Sequence, residues 1–414
     1  MPVHATSWVD VPDDHPFGVA NLPYGVFTTP DSGPRVGVRI GDWVLDAAAV
    51  AALGGDPGDG PDLAAAWRSP TLNAFLDLGR PAWSTAREWL TEVLTDDVHE
   101  ARTRPHLVPL AEATLHLPFA VADYVDFYAS EHHATNVGRI FRPDSEPLTP
   151  NWKHLPIGYH GRSGTVVVSG TDVVRPTGQR KAPSDPAPVF GPSTRLDIEA
   201  ELGFVVGSGT EVGTRVGVDD AHDHLFGVVL LNDWSARDIQ AWEYVPLGPF
   251  LGKSFATSIS AWVVPMDALR SARVDLPGQD PEPLPYLRGR GEQAAYGLDI
   301  HYEVVWNGTV VARPEYRELY WSPAQMLAHL TVNGASLRSG DLFGSGTISG
   351  PEKGSRGSFL ELSWNGAEPV TLDDGTKRGF LEDGDTITLR AWAPGPSGTR
   401  IGLGDVSGTV TPAV

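Results

Sequence analysis

The stretch Leu225-Phe-Gly-Val-Val-Leu-Leu-Asn-Asp233 is apolar over the length of a strand and then ends in a carboxylate. A run of this kind, without polar alternation, predicts a strand buried on both faces. An acid at the end of such a strand is costly unless it is paired or holds a metal. Upstream, Arg195-Leu-Asp-Ile-Glu-Ala-Glu-Leu-Gly-Phe-Val-Val206 reads as a second strand, and alternation puts Glu199 and Glu201 on one side together with Asp197. An isolated Glu-x-Glu is most simply a solvated face. The buried acid that follows changes that reading: Asp126, Glu199, Glu201 and Asp233 converging on one point would need a cation, and hard oxygen donors suit Ca²⁺ or Mg²⁺, with Mn²⁺ as a third choice.

The rest of the chain sets the frame. At 414 residues it is long enough for two or three cores, and 46 glycines with 36 prolines favour many short strands and turns over long helices. The expected class is mainly β, of α+β type. A net charge of −21 argues against nucleic acid or an anionic membrane as partner, and leaves small anionic substrates open. The absence of cysteine removes disulfides and thiolate catalysis, as in a cytoplasmic protein. Met1 to Asp10 has no basic region followed by an apolar core, so no signal peptide is expected, and no apolar run reaches the ~18 residues of a membrane span.

Residues 1–118 mix short strands, such as Val36–Ile40 and Trp43–Leu45 across Gly41-Asp42, with helical stretches near 64–78 and near 84–94, the latter behind a Ser84 cap. Asp96 to Leu110 reads as a linker, and the domain boundary is placed at 118, giving an N-terminal domain of 1–118 and a catalytic domain of 119–414. Beyond it strands dominate. Asn307-Gly308 and Asn365-Gly366 read as hairpin turns, the latter after a strand Leu360–Trp364, and helices are expected at 235–243 and 322–330.

Polar residues gather in the same segments. After Asp233, with Asp233 or Ser235 as cap, the helix would carry Arg237, Gln240 and Tyr244 on one face. Pro246-Leu-Gly-Pro-Phe-Leu-Gly-Lys-Ser-Phe-Ala-Thr257 forces a compact turn from which Lys253 emerges, either to reach solvent or to stabilise an oxyanion. Asp126, Tyr128 and the His132-His133 pair lie close together, one histidine being a base and the other facing away. Arg142 and Tyr159 follow in a Pro/Gly-rich loop that could close over a ligand. The glycine-rich segment 339–350 lacks phosphate-loop spacing, yet its glycines would let Thr347 approach a carboxylate, and Glu361 is one more acid in need of a partner.

Taken in order, Asp-Tyr-Val-Asp-Phe-Tyr128, His133-Ala-Thr-Asn-Val-Gly, Pro156-Ile-Gly-Tyr-His-Gly-Arg162, Asn232-Asp-Trp-Ser-Ala-Arg-Asp-Ile-Gln240, Pro246-Leu-Gly-Pro-Phe-Leu-Gly-Lys-Ser-Phe255 and Gly344-Ser-Gly-Thr-Ile-Ser-Gly350 resemble the fumarylacetoacetate hydrolase family over roughly 121–410. The resemblance implies a C-terminal mixed β-roll with a smaller SH3-like N-terminal domain, a homodimer, and metal-dependent hydrolysis of the carbon–carbon bond of 4-fumarylacetoacetate, a diketo-dicarboxylic acid, at the end of tyrosine and phenylalanine breakdown. It implies Asp126, Glu199, Glu201 and Asp233 as metal ligands, with Lys253 and Thr257 near a second ion. His133 would be the general base oriented by Glu361, and Arg237, Lys253 and Gln240 would stabilise charge. Tyr128, Arg142, Tyr159, Gln240, Tyr244 and Thr347 would bind substrate. Two other readings stand beside it: an acylpyruvate hydrolase or oxaloacetate decarboxylase of the same superfamily, and a non-catalytic calcium-binding β module, for which His133, Lys253 and Arg237 would have no purpose.

Overall fold

A computed structural model describes residues 6–54, 62–290 and 295–414; Met1 to Ala5, half of the stretch read for a signal peptide, lie outside the described residues. The strand Leu225–Asp233 is buried at all nine positions, and its alternation explains why. Leu225, Val228 and Leu230 join one hydrophobic core, whereas Phe226, Val229 and Leu231 join a second on the opposite face. Each such side chain taken from water contributes about 1.5–3 kcal/mol, so both faces of this strand select apolar residues.

It is a central member of an eight-stranded mixed sheet. The order is Gly158–His160, Tyr124–Phe127, Leu342–Gly344, Ala200–Val206, Leu225–Asp233, Thr257–Ile259 and Val166–Val168, with Val264–Pro265 also pairing Leu225–Asp233. Two pairings are parallel, Leu342–Gly344 with Tyr124–Phe127 and Thr257–Ile259 with Val166–Val168. A second sheet of five strands, Thr309–Ala312, His301–Trp306, Thr386–Pro394, Arg400–Thr411 and Val173–Val174, closes the first core. The strand Arg400–Thr411 is not evident in the sequence, because its glycines read as turns. Gly402 and Gly408 are instead where large side chains press on the strand: a Cβ at 402 would lie 2.9 Å from Pro16, and one at 408 would lie 2.9 Å from Trp234.

The N-terminal region forms an all-antiparallel five-stranded sheet in the order Leu107–Pro109, Trp43–Asp46, Ser32–Ile40, Tyr24–Thr29, Thr114–His116. It does not sit apart from the rest. Phe226 meets Phe75 and Trp83 edge-on, at ring separations of 5.7 and 5.2 Å, so the second core is shared between the two regions.

Several local expectations are corrected. The stretch 64–78 is two short helices, Leu63–Trp67 and Asn73–Leu76. The next helix runs Gly79–Thr95, so Ser84 lies inside it and donates to Asp267 instead of capping. Asp96 to Leu110 is no free linker: it carries the helical turn Glu100–Thr103 and the edge strand Leu107–Pro109. The helix Glu131–Phe141, capped by Ser130, adds to those expected. The Asn307-Gly308 hairpin forms, with both residues at positive φ. Asn365-Gly366 follows not a strand but the helical turn Phe359–Leu362, whose cap is Ser358.

Candidate active site

The site forms where the C-terminal end of Leu225–Asp233 meets the start of Ala200–Val206 and the end of Tyr124–Phe127. Asp126, Glu199, Glu201 and Asp233 are all buried there, and an oxygen from each lies within 4.8 Å of the others. Four carboxylates so close repel one another. Burial and the neighbouring Asp233 push Asp126 up to about 8. Burial and Asp126 push Glu201 well above the usual carboxylate range, and burial raises Asp233 although Lys253 opposes it. Glu199 behaves differently: burial works against its charge, yet Lys253, Arg237 and His133 hold its carboxyl well below the usual range.

The donor set fits a divalent cation on two grounds. Asp126 Oδ1 and Glu201 Oε1 are buried with no hydrogen-bond partner among the described residues, a costly state that a cation would relieve. Room for it is kept by Gly344, where a Cβ would sit 2.6 Å from Glu201 and 3.1 Å from Asp126. Hard oxygen ligands of this kind suit Mg²⁺, Ca²⁺ or Mn²⁺.

Cationic side chains line one wall. The Lys253 ammonium reaches both Glu199 and Asp233, the latter at 2.5 Å. Its carboxylate neighbours raise it further, against burial, so its side chain acts as a donor and has no lone pair for a metal. Thr257 Oγ1 donates to Asp233 at 3.2 Å, and Tyr159 Oη does so at 3.3 Å. Arg237 is engaged through all three nitrogens: Nε donates to Asp197 at 2.8 Å, Nη2 pairs with Glu199 at 2.7 Å, and Nη1 donates to Gln240 at 3.2 Å.

The helix Glu131–Phe141 carries His133, whose Nδ1 meets Glu361 Oε2 at 2.6 Å while Nε2 lies 3.8 Å from the Glu199 oxygen that Arg237 also approaches. Glu361 accepts three more hydrogen bonds, from Asn136 at 2.9 Å, Ser349 at 2.9 Å and Ser358 at 2.8 Å. Burial alone would raise its pKa; His133, Asn136 and Ser358 hold it below the usual value, so Glu361 is ionised, accepts at both oxygens and keeps a proton on His133 Nδ1. The Tyr128 ring stands edge-on to His133 at 5.3 Å. Of the histidine pair only His133 faces the site; His132 turns toward Glu318.

Tyr128, Tyr159 and Gln240 thus join the cluster; Thr347 follows Gly346, whose N–H donates to Glu201 at 3.1 Å, and its buried hydroxyl has no hydrogen-bond partner among the described residues. Arg142 lies at the end of the His133 helix and donates to Pro147 O. Tyr244, 38% exposed, ends the Arg237–Glu243 helix at the surface. Neither Asp233 nor Ser235 caps that helix: Asp233 is taken by Lys253 and Thr257, and the Ser235 hydroxyl donates to Asp233 O. Sequence reasoning missed Asn136, Ser349, Ser358 and Tyr124, whose buried hydroxyl also faces the acids, and it grouped Asp197 with Glu199 and Glu201, whereas Asp197 lies outside the four-acid cluster. Two signals could have found them: Asn136 is one helical turn from His133, and Ser358-x-x-Glu361 is a capping spacing.

Among known proteins, residues 123–411 match the family model described as "Fumarylacetoacetate (FAA) hydrolase C-terminal", and residues 20–118 match "Fumarylacetoacetase N-terminal". The chain is 50% identical over 423 residues to a protein of Caenorhabditis elegans named fumarylacetoacetase, covering 98% of this chain and 99% of the relative. It is 47% identical over 425 residues to the fumarylacetoacetase of Homo sapiens, covering 99% of each. Among solved structures, a fumarylacetoacetate hydrolase from Exiguobacterium antarcticum superposes with a TM-score of 0.54 at 15% identity, over 94% of this chain and 99% of that one, which shows a shared fold. With both halves of the chain matched and relatives this similar along their whole length, the chain belongs to the fumarylacetoacetate hydrolase family.

Proposed function

We propose that this protein hydrolyses 4-fumarylacetoacetate to fumarate and acetoacetate, as the closing reaction of tyrosine and phenylalanine breakdown. The observation that carries the reading is the His133–Glu361 pair facing the acidic cluster, with Arg237 and Lys253 converging on the same Glu199. Relatives named for this reaction along almost the whole chain support it.

Asp126, Glu199, Glu201 and Asp233 would hold the cation, Mg²⁺ or Ca²⁺ being our first choices. When bound it supplies Lewis-acid polarisation of the β-diketone oxygens. His133, with Nδ1–H donated to Glu361, offers Nε2 to take a proton from water. The water oxygen bonds to the ketone carbon on the fumaryl side, and Lys253, Arg237 and Gln240 stabilise the alkoxide that develops there. The carbon–carbon bond then breaks, its electron pair leaving with the acetoacetate carbon, which is protonated to complete the products. Tyr128, Arg142, Tyr159, Tyr244 and Thr347 are assigned to holding the dicarboxylic acid.

We also assign a homodimer in the cytoplasm. The loop after the Arg237–Glu243 helix supports the dimer. Its backbone is pinned by Glu243, which accepts the N–H groups of Phe250 and Gly252, yet Val245, Leu247 and Phe250 project outward, Leu247 at 96% exposure. A fixed apolar surface of this kind is usually covered by a partner. The reaction is tested by following the diketone absorbance of fumarylacetoacetate with chelated protein and after adding Mg²⁺ or Ca²⁺. Metal-restored loss with fumarate and acetoacetate as products is expected; turnover only of an acylpyruvate, or metal binding without turnover, would overturn it.

A further inference from the structure

Asp197 is fully buried, and none of the roles assigned above uses it. It is not one of the four acids of the cluster. Unbroken alternation would place it beside Glu199 and Glu201, but the strand breaks after Leu196–Asp197 and resumes at Ala200–Val206, and its carboxylate lies outside the four-acid cluster, linked to Glu199 through Arg237. There it accepts four hydrogen bonds. Oδ1 takes the backbone N–H of Ile198 at 2.8 Å and of Phe359 at 2.7 Å. Oδ2 takes Leu360 N–H at 3.0 Å and Arg237 Nε at 2.8 Å.

These partners serve the two groups that meet at Glu199 Oε1, which lies 2.7 Å from Arg237 Nη2 and 3.8 Å from His133 Nε2. Arg237 reaches Glu199 and Gln240 with its other two nitrogens, whereas Phe359 and Leu360 are the first residues of the helical turn that carries Glu361, the partner of His133. We propose that Asp197 is a positioning residue that locks the Arg237 guanidinium and the Glu361-bearing turn to each other, so that the charge-stabilising group and the base are held at a fixed separation. A carboxylate suits this role because no other side chain offers enough acceptor sites to satisfy three backbone N–H groups and one guanidinium N–H at once. In D197N one oxygen becomes an NH₂ donor, which must face either two backbone donors or a backbone donor and Arg237. The inference rests on the reaction proposed above, in which Arg237 and His133 act on the same substrate.

The test is a double-mutant cycle between D197N and R237Q, with rates normalised to divalent ion bound per chain so that unfolded protein does not count. D197N is expected to lower kcat by about 10²-fold with KM changed less than about threefold, since misplacement of a reacting group costs on this scale. In the R237Q background the same change should cost at least about tenfold less than in the wild type, because one of the two groups it locks together is already gone. A merely structural role would multiply the two losses in full, and that result overturns the proposal. R237K gives a second arm that leaves Asp197 in place: it keeps the charge but lacks the fork that spans Asp197 and Glu199, and should lose about as much as D197N. Near-wild-type activity of R237K would also overturn it. A wild type that releases no fumarate would sink the reaction and this proposal together, whereas an active wild type with multiplying variants would sink this proposal alone.

Discussion

The two carboxylate sites that flank His133 are built on opposite principles. Glu361 is saturated, with His133, Asn136, Ser349 and Ser358 all donating to it, and it stays ionised despite full burial. A few ångströms away, Asp126 and Glu201 are equally buried, yet each keeps an oxygen without a partner among the described residues and both are pushed toward the neutral form. The difference separates a carboxylate whose work is to orient a base from carboxylates arranged for a cation. The first must have its charge satisfied by the protein, and the second must not.

Four experiments would break or sharpen that contrast. His133→Ala should have the largest effect, lowering turnover by about 10²–10⁴-fold, the usual contribution of a general base, with divalent ion binding by calorimetry largely intact. Retained turnover would dissolve the assignment of roles. Glu361→Gln should be smaller but still severe, because the amide NH₂ must face either Asn136 or the His133, Ser349 and Ser358 donors; a loss of about 10–10²-fold in kcat at unchanged ion stoichiometry is expected. Asp126→Asn should behave in the opposite way to Glu361→Gln. An amide in place of a carboxyl that burial and Asp233 push up to about 8 removes the cost of protonating that group on folding near neutral pH, and should stabilise the metal-free protein by about 1–3 kcal/mol in chemical unfolding, while abolishing the rise in Tm that Mg²⁺ or Ca²⁺ gives the wild type. A metal-free protein made less stable by this substitution would show that Asp126 is satisfied by the protein after all. The smallest effect on chemistry is expected from Leu247→Ser with Phe250→Ser, which should halve the mass measured by light scattering if the exposed loop joins two copies, and leave it unchanged if it does not.

Legibility in the sequence followed the range of the interaction concerned. The strand Leu225–Asp233 is readable because burial on two faces imprints a continuous apolar run, and the Asn307-Gly308 hairpin because its turn needs two positive φ values that Asn and Gly accept readily. Glu361 reads as part of a strand because Leu-Glu-Leu alternates; a helical turn wins, since Ser358 caps it and Asp197 accepts its first N–H groups from across the chain. The same break in alternation after Asp197 separates that acid from Glu199 and Glu201. The helix Glu131–Phe141 is easily overlooked because the histidine pair draws attention to chemistry, although Ser130 is a good cap.

The sequence by itself determined which residue types were present for the site: four acids, one base and its carboxylate partner, and two cations. It could not determine their charge. Whether a buried carboxyl is ionised depends on donors and charges that arrive from elsewhere: Lys253 beside Glu199, Arg237 beside Asp197, Ser349 and Asn136 beside Glu361. In a low-dielectric interior a shift of a few ångströms in such a partner outweighs anything local, so only the tertiary structure decided which acids were satisfied by the protein and which were left for a cation.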